Sequence, residues 1–201
     1  NNNFSGKGYK IGVIDGGFEG VYSLMGTDLP AQMEIKTFVD GESISDIEQG
    51  SPHGTACAEI VHDIAPQAEL YLAKVNTVMD LEDAVDWLVD RQEVDFISTS
   101  ITWFGVTPGD GTGIFGDLAT MAKSQGIFWA TSAGNYRENH WSGQFMDTDA
   151  DGVLDFVSEI EINYFGPGGG YVYYLDPGYT FQAFLRWNDW MAVDQDYDLY
   201  V

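Results

Sequence analysis

The sequence predicts an α/β fold, a parallel sheet with helices on both faces, joined towards the C-terminus by a small antiparallel β insert. Apolar strand-like runs alternate with helix-period stretches over roughly the first two thirds of the chain. Strands separated by helices need crossovers, and a sheet built from crossovers is parallel and covered on both faces. Beyond about residue 140 the helical period stops, and short aromatic runs separated by Gly and Pro turns take its place.

The elements follow in order. "YKIGVID" (9–15) is an apolar, β-branched run and predicts the first strand. A short amphipathic helix over 53–64 opens on His53 within "SPHGTACAEIVHDIAP". "AELYLAKV" (68–75), "VDFISTSI" (94–101) and "IFWATSAG" (127–134) predict the later strands, and "LEDAVDWLVD" (81–90) and "FGDLATMAKSQ" (115–125) the helices between them. After these come "FVSEIEINYF", "YVYYL", "TFQAFLRW" and "DYDLYV", with "GPGGG" and "DPG" as turns. They read as antiparallel strands, so the expected division is an α/β domain over 1–140 and a β-rich insert over 141–201.

Composition narrows the function classes. Eight Lys and Arg stand against 32 Asp and Glu, a formal net charge of −24, and such a field repels phosphate backbones and anionic lipid surfaces. Nucleic acid is therefore not an expected partner. The same excess suits divalent cations or high salt, or simply keeps the chain soluble. The lone Cys57 has no internal disulfide partner and reads as a small buried hydrophobe on the helix after His53. No apolar run approaches the 18 or so residues of a membrane span, and the N-terminus lacks a signal-type apolar region, so a soluble or already processed chain is expected.

In open parallel sheets, ligand sites form beyond the carboxyl ends of the strands. Asp15 lies there, where "KIGVIDGG" runs an apolar strand into an acid and two glycines. A dinucleotide site would need G-x-G-x-x-G, which "GGFEG" does not supply. By itself a strand-ending Asp before Gly is as often a turn or a cap as a catalytic group.

Three segments taken together say more. "VIDGG" (13–17), "HGT" (53–55) and "SAGN" (132–135) occur in that order, each at a strand end or helix start of one α/β pattern. Over residues 9–135 the chain resembles the subtilisin-like serine proteases, the subtilases, whose triad runs Asp, His, Ser along the chain. The resemblance implies that Asp15 orients His53, that His53 is the general base, and that Asn135 donates to the oxyanion. It implies further that Ser98, Ser100, Ile101 and Thr102 lie along the substrate backbone, with the small Ala133 and Gly134 leaving room for its approach. The chemistry suits these residue types. A buried carboxylate fixes the imidazole tautomer, and a neutral amide stabilises a developing oxyanion without adding charge.

The chain departs from the family pattern at several points. Ala56 and Glu59 stand where the family commonly has a second histidine and a small residue. Thr102, followed by Trp103 and Phe104, replaces the usual glycine and alters the pocket for the residue before the cut. The largest departure is the nucleophile. None of the Gly-Thr pairs (26–27, 54–55, 111–112) is followed by Ser, and Ser132 belongs to the strand leading into Asn135. The expectation is that the serine lies beyond residue 201, on a C-terminal segment, and that the chain is a fragment, a nicked product or a truncation with no activity of its own.

"DTDADGVLD" carries a second signal. Asp147, Asp149 and Asp151, then Gly152, a Val153 carbonyl and Asp155, match the first nine positions of an EF-type calcium loop, while position twelve is Ser158. Carboxylates on alternate residues of a tight turn converge on a hard cation, so structural calcium of low to moderate affinity is expected, roughly 10⁻⁴ to 10⁻³ M. An acidic solvated turn is the alternative. The whole reads as an extracellular or secreted serine endopeptidase with a polypeptide substrate. The competing classes are a non-catalytic binding or scaffold protein that lost its nucleophile and an unrelated α/β ligand-binding domain. In the last of these, Asp15 and His53 would have no reason to touch.

Overall fold

A computed structural model describes residues 4–135, 142–155, 177–178, 183–187 and 197–198. The strands are β1 (Lys10–Asp15), β2 (Glu34–Thr37), β3 (Glu69–Lys74), β4 (Phe96–Thr99) and β5 (Phe128–Thr131). They form one sheet in the order β2-β3-β1-β4-β5, with every pairing parallel. The helices are α1 (Val21–Leu24), α2 (His53–Ile64), α3 (Val78–Asp86) and α4 (Ile114–Ser124), and α3 runs on into a π-helical turn, Trp87–Arg91.

Strand alternation divides the core between the two faces of the sheet. Val13 and Leu72 pack with Phe18, Val21, Leu29, Ile47 and Ala58, so α2 covers that face. Ile14, Ala73 and Ile97 point the other way and pack with Leu81, Val85, Leu88 and Leu118 from α3, the π-turn and α4. The predicted α/β architecture with helices on both faces is therefore present. The expected strands match β1, β3, β4 and β5, and the helix expected over 53–64 is α2. The helix expected over 81–90 starts earlier, at Val78, because Thr77 and Asp80 form a reciprocal cap. The Asp80 amide donates to Thr77 Oγ1 (3.1 Å) and the Thr77 amide to Asp80 Oδ2 (2.8 Å).

Two compact units divide the chain, Asn1–Ala133 with Phe184–Val201, and Gly134–Ala183. In the first, Phe184 stacks on Phe104 with ring centroids 4.9 Å apart. In the second, residues 142–155 include the acidic loop, where Gly152 has φ +92°. The antiparallel strands expected in "FVSEIEINYF", "YVYYL", "TFQAFLRW" and "DYDLYV" fall almost wholly outside the described residues.

Candidate active site

The site forms where the end of β1 meets the start of α2. Asp15 is the last residue of β1, on the face that α2 covers, and is only 2% exposed. Two glycines allow the approach. A Cβ at Gly54 would sit 2.5 Å from the Gly17 carbonyl oxygen and 2.7 Å from Asp15 Cβ, and one at Gly17 would sit 2.6 Å from the Ser51 nitrogen. The Gly54 amide donates to the Gly17 carbonyl (3.0 Å), and the buried Thr55 hydroxyl donates to the Glu19 carbonyl (2.9 Å). The "DGG" and "HGT" segments are thus one joint. Gly54→Ala pushes a methyl group into fixed backbone and is expected to destabilise the protein by about 1–3 kcal/mol. Denaturant unfolding checks it, and an unchanged midpoint would show that the joint tolerates a side chain.

This joint brings Asp15 and His53 together. His53 Nδ1–H donates to Asp15 Oδ2 at 2.7 Å, while Asp15 Oδ1 accepts from the Gly16 amide at 2.8 Å. Both carboxylate oxygens are therefore engaged. The His53 ring is half exposed, and Nε2 has no hydrogen-bond partner among the described residues. An imidazole held in this way keeps its proton on Nδ1 and presents a free lone pair on Nε2. The Ser51 hydroxyl accepts from the His53 amide (3.1 Å), steadying the first turn of α2.

Lys74 ends β3 beside Asp15 in register and is 4% exposed. Its ammonium donates to Glu42 Oε1 and to the Asp46 carbonyl, both at 2.9 Å. Glu42 thus matches this buried charge and leaves Asp15 to His53. Sequence reasoning missed this pair. It also missed the neighbourhood of Cys57, whose Sγ lies 3.9 Å from His53 Nδ1 and whose thiol interacts with the Ser100 hydroxyl. The available signal was spacing, since residues four apart share a helix face. Burial, only partly offset by Ser100, pushes the Cys57 thiol above its ordinary range.

The remaining candidate residues lie at two strand ends. Ser98 is in β4, paired with Val13 on one side and Ala130 on the other, and Ser100, Ile101 and Thr102 continue from its carboxyl end. Ser132 extends the β4–β5 pairing, its amide donating to the Thr99 carbonyl (3.0 Å). It is part of a strand extension, as the sequence suggested. Ala133, Gly134 and Asn135 come next and are exposed.

In the second unit the carboxylates of Asp147, Asp149 and Asp151 offer oxygens within 4.8 Å of one another, a set that could hold a metal ion. Backbone amides brace them. Gly152 donates to Asp147 Oδ2 (3.0 Å) and Val153 to Asp151 Oδ1 (2.8 Å). Asp155 is not part of this trio. Its Oδ2 accepts from the Thr148 hydroxyl and amide, which hold its carboxyl below the usual range.

The sequence model of the Subtilase family, the S8 peptidases, matches residues 6–158, from before β1 to just past the acidic loop. No curated protein and no solved structure matches the chain.

Proposed function

From the premise that this chain belongs to the subtilase family and is a serine peptidase of the S8 type, we propose that it carries the acid, base and oxyanion donor of a serine endopeptidase. The nucleophilic serine comes from a segment outside residues 1–201. The observation that carries the reading is the 2.7 Å contact between His53 and the buried Asp15 at the joint of β1 and α2. Both residues were singled out from sequence motifs alone, and an unrelated α/β domain would have no reason to join them.

The chemistry follows from the pair. The serine oxygen bonds to the scissile carbonyl carbon as its proton passes to His53 Nε2, and Asp15 stabilises the imidazolium. The Asn135 amide donates to the oxyanion, an interaction whose loss typically lowers turnover about a hundred- to a thousand-fold. The carbon–nitrogen bond then breaks, the proton goes to the leaving amine, and water, deprotonated by the same histidine, releases the acyl group. Ser98, Ser100, Ile101 and Thr102, with Ala133 and Gly134, would hold the substrate backbone. The pairing of β4 with β5, which Ser132 extends, supports that role.

The test is covalent. With the missing segment supplied, a fluorophosphonate should label a serine on that segment, and His53→Ala should abolish labelling. Labelling of Ser132 in the 201-residue chain would overturn the assignment. A supplied Gly-Thr-Ser that neither labels nor cleaves would favour the scaffold alternative.

Calcium and an extracellular setting complete the proposal. Asp147, Asp149 and Asp151 would supply carboxylates and Val153 a carbonyl, while Asp155, held by Thr148, would brace the loop. Among the described residues no helix is long and apolar enough to cross a membrane. A cation bound only by the folded loop stabilises it by mass action. At about 100 times the dissociation constant the gain is about 2.7 kcal/mol, so calcium should raise the melting temperature and protect the 142–155 segment from proteolysis. Identical melting and cleavage in calcium and in chelator would leave only an acidic turn.

A further inference from the structure

An open concavity lies away from the Asp15–His53 pair, on the face of the sheet that α3 covers. It is about 570 Å³ in volume and lined by Lys36, Phe38, Asp83, Asp86, Trp87 and Arg91. That volume is within the ordinary range of ligand pockets. Strand period brings Lys36 and Phe38 to one face at the β2 edge of the sheet. The last turn of α3 adds the carboxylates, and the π-turn adds Trp87 and Arg91.

The Phe38 and Trp87 rings form a V, with centroids 5.7 Å apart and planes inclined at 57°. The Lys36 ammonium sits in it, 4.3 Å from the Phe38 centroid and 5.7 Å from that of Trp87. Among the described residues it makes no ion pair, although Asp83 and Asp86 line the same concavity and are exposed. Aromatic faces carry negative charge density and attract cations. The two carboxylates are matched in number by Lys36 and Arg91, so the ring faces decide the sign, repelling an anion and attracting a cation, in a chain of net charge −24. A cation would meet what Lys36 already meets.

We propose that this concavity is a binding site for the cationic side chain of a basic polypeptide segment, and that Lys36 is its internal tenant, displaced when the ligand's ammonium or guanidinium enters. Asp83 and Asp86 supply the counter-charge at the mouth. Arg91 marks the rim and opposes entry, which sets a threshold that a single small cation meets poorly and a run of basic residues meets well. The site is independent of peptide-bond chemistry, because none of its residues belongs to the acid–base pair.

The experiment is a titration of the 201-residue chain with tetramethylammonium and with a hexalysine peptide. It is read by tryptophan fluorescence and by the Trp87 indole resonance, assigned with Trp87→Phe. Lys36 is exposed, so Lys36→Ala empties the V without burying or unburying a charge, and it is expected to tighten binding of both probes about three- to tenfold, the range of a partly desolvated cation–π contact. The exposed pair Asp83→Asn with Asp86→Asn should weaken binding by a similar factor and flatten its salt dependence. No saturable response of Trp87 in the Lys36→Ala chain would overturn the proposal. So would unchanged affinity in the Asp83→Asn, Asp86→Asn chain, or stronger binding of a hexaglutamate peptide than of hexalysine. Binding is read without any cleavage, so its failure would leave the peptidase reading untouched, and the converse also holds.

Discussion

Residues 1–201 on their own are expected to hydrolyse a peptide substrate no faster than an oxyanion hole and substrate binding allow, and a supplied serine segment is expected to raise turnover by about 10⁶. The reason is that triad members act as a unit. In subtilisin the loss of the serine alone lowers turnover by about 2 × 10⁶, nearly as much as the loss of all three, and leaves about 10³ to 10⁴ over the uncatalysed rate. His53 and Asp15 are already joined at 2.7 Å, so the proposed base needs no assembly before a hydroxyl arrives. What is lacking among residues 1–201 is a Gly-Thr-Ser for that base to serve. Turnover of a fluorogenic peptide by the chain, with and without the segment, measures the difference, and His53→Ala in the complemented protein should return it to the residual level. Full activity of the chain alone would mean that another hydroxyl serves His53 and would refute the assignment.

How much of this was legible depended on the length over which each pattern acts. β1 and α2 were readable because the apolar runs of "YKIGVID" and the amphipathic stretch after His53 each extend over several residues. β2 was not. Its four residues, Glu34 to Thr37, hold only one large apolar side chain, the partly buried Ile35, and an edge strand that short carries no periodic signal. The start of α3 was missed because Asp80 replaces the longer Glu or Gln usual in the reciprocal cap, although its carboxylate still reaches the Thr77 amide. The site divides in the same way. Asp15 and His53, 38 residues apart, were found because each stands in its own local motif at an element boundary. Lys74 and Glu42 were not, since a lysine ending "AELYLAK" gives no hint of a carboxylate 32 residues earlier in the chain. The aromatic V is also nonlocal, built from β2 and from a π-turn that periodicity reads as ordinary helix.

Asp15→Asn is expected to leave the fold intact and to lower turnover of the complemented enzyme by about 10⁴, with little change in KM. The argument rests on which atom faces which. The Gly16 amide donates to Asp15 Oδ1 and His53 Nδ1–H donates to Oδ2, so both oxygens act as acceptors. An asparagine of the same shape has one acceptor oxygen and one donor nitrogen. Turned so that its oxygen takes the Gly16 amide, it presents NH₂ to His53 Nδ1, which must then give up its proton and accept. The imidazole proton moves to Nε2, the nitrogen that has to receive the serine proton, and the base is blocked while every heavy atom stays in place. The opposite rotamer would set NH₂ against the Gly16 N–H, leaving two buried donors facing each other at a site that is 2% exposed. The 201-residue chain reports the tautomer directly, because ¹⁵N shifts of the His53 ring distinguish a proton on Nδ1 from one on Nε2 and need no nucleophile. Asp15→Asn should exchange the two signals and lower turnover together. A variant that switches tautomer yet keeps turnover within tenfold of the parent would show that Asp15 is structural and that His53 is not the base.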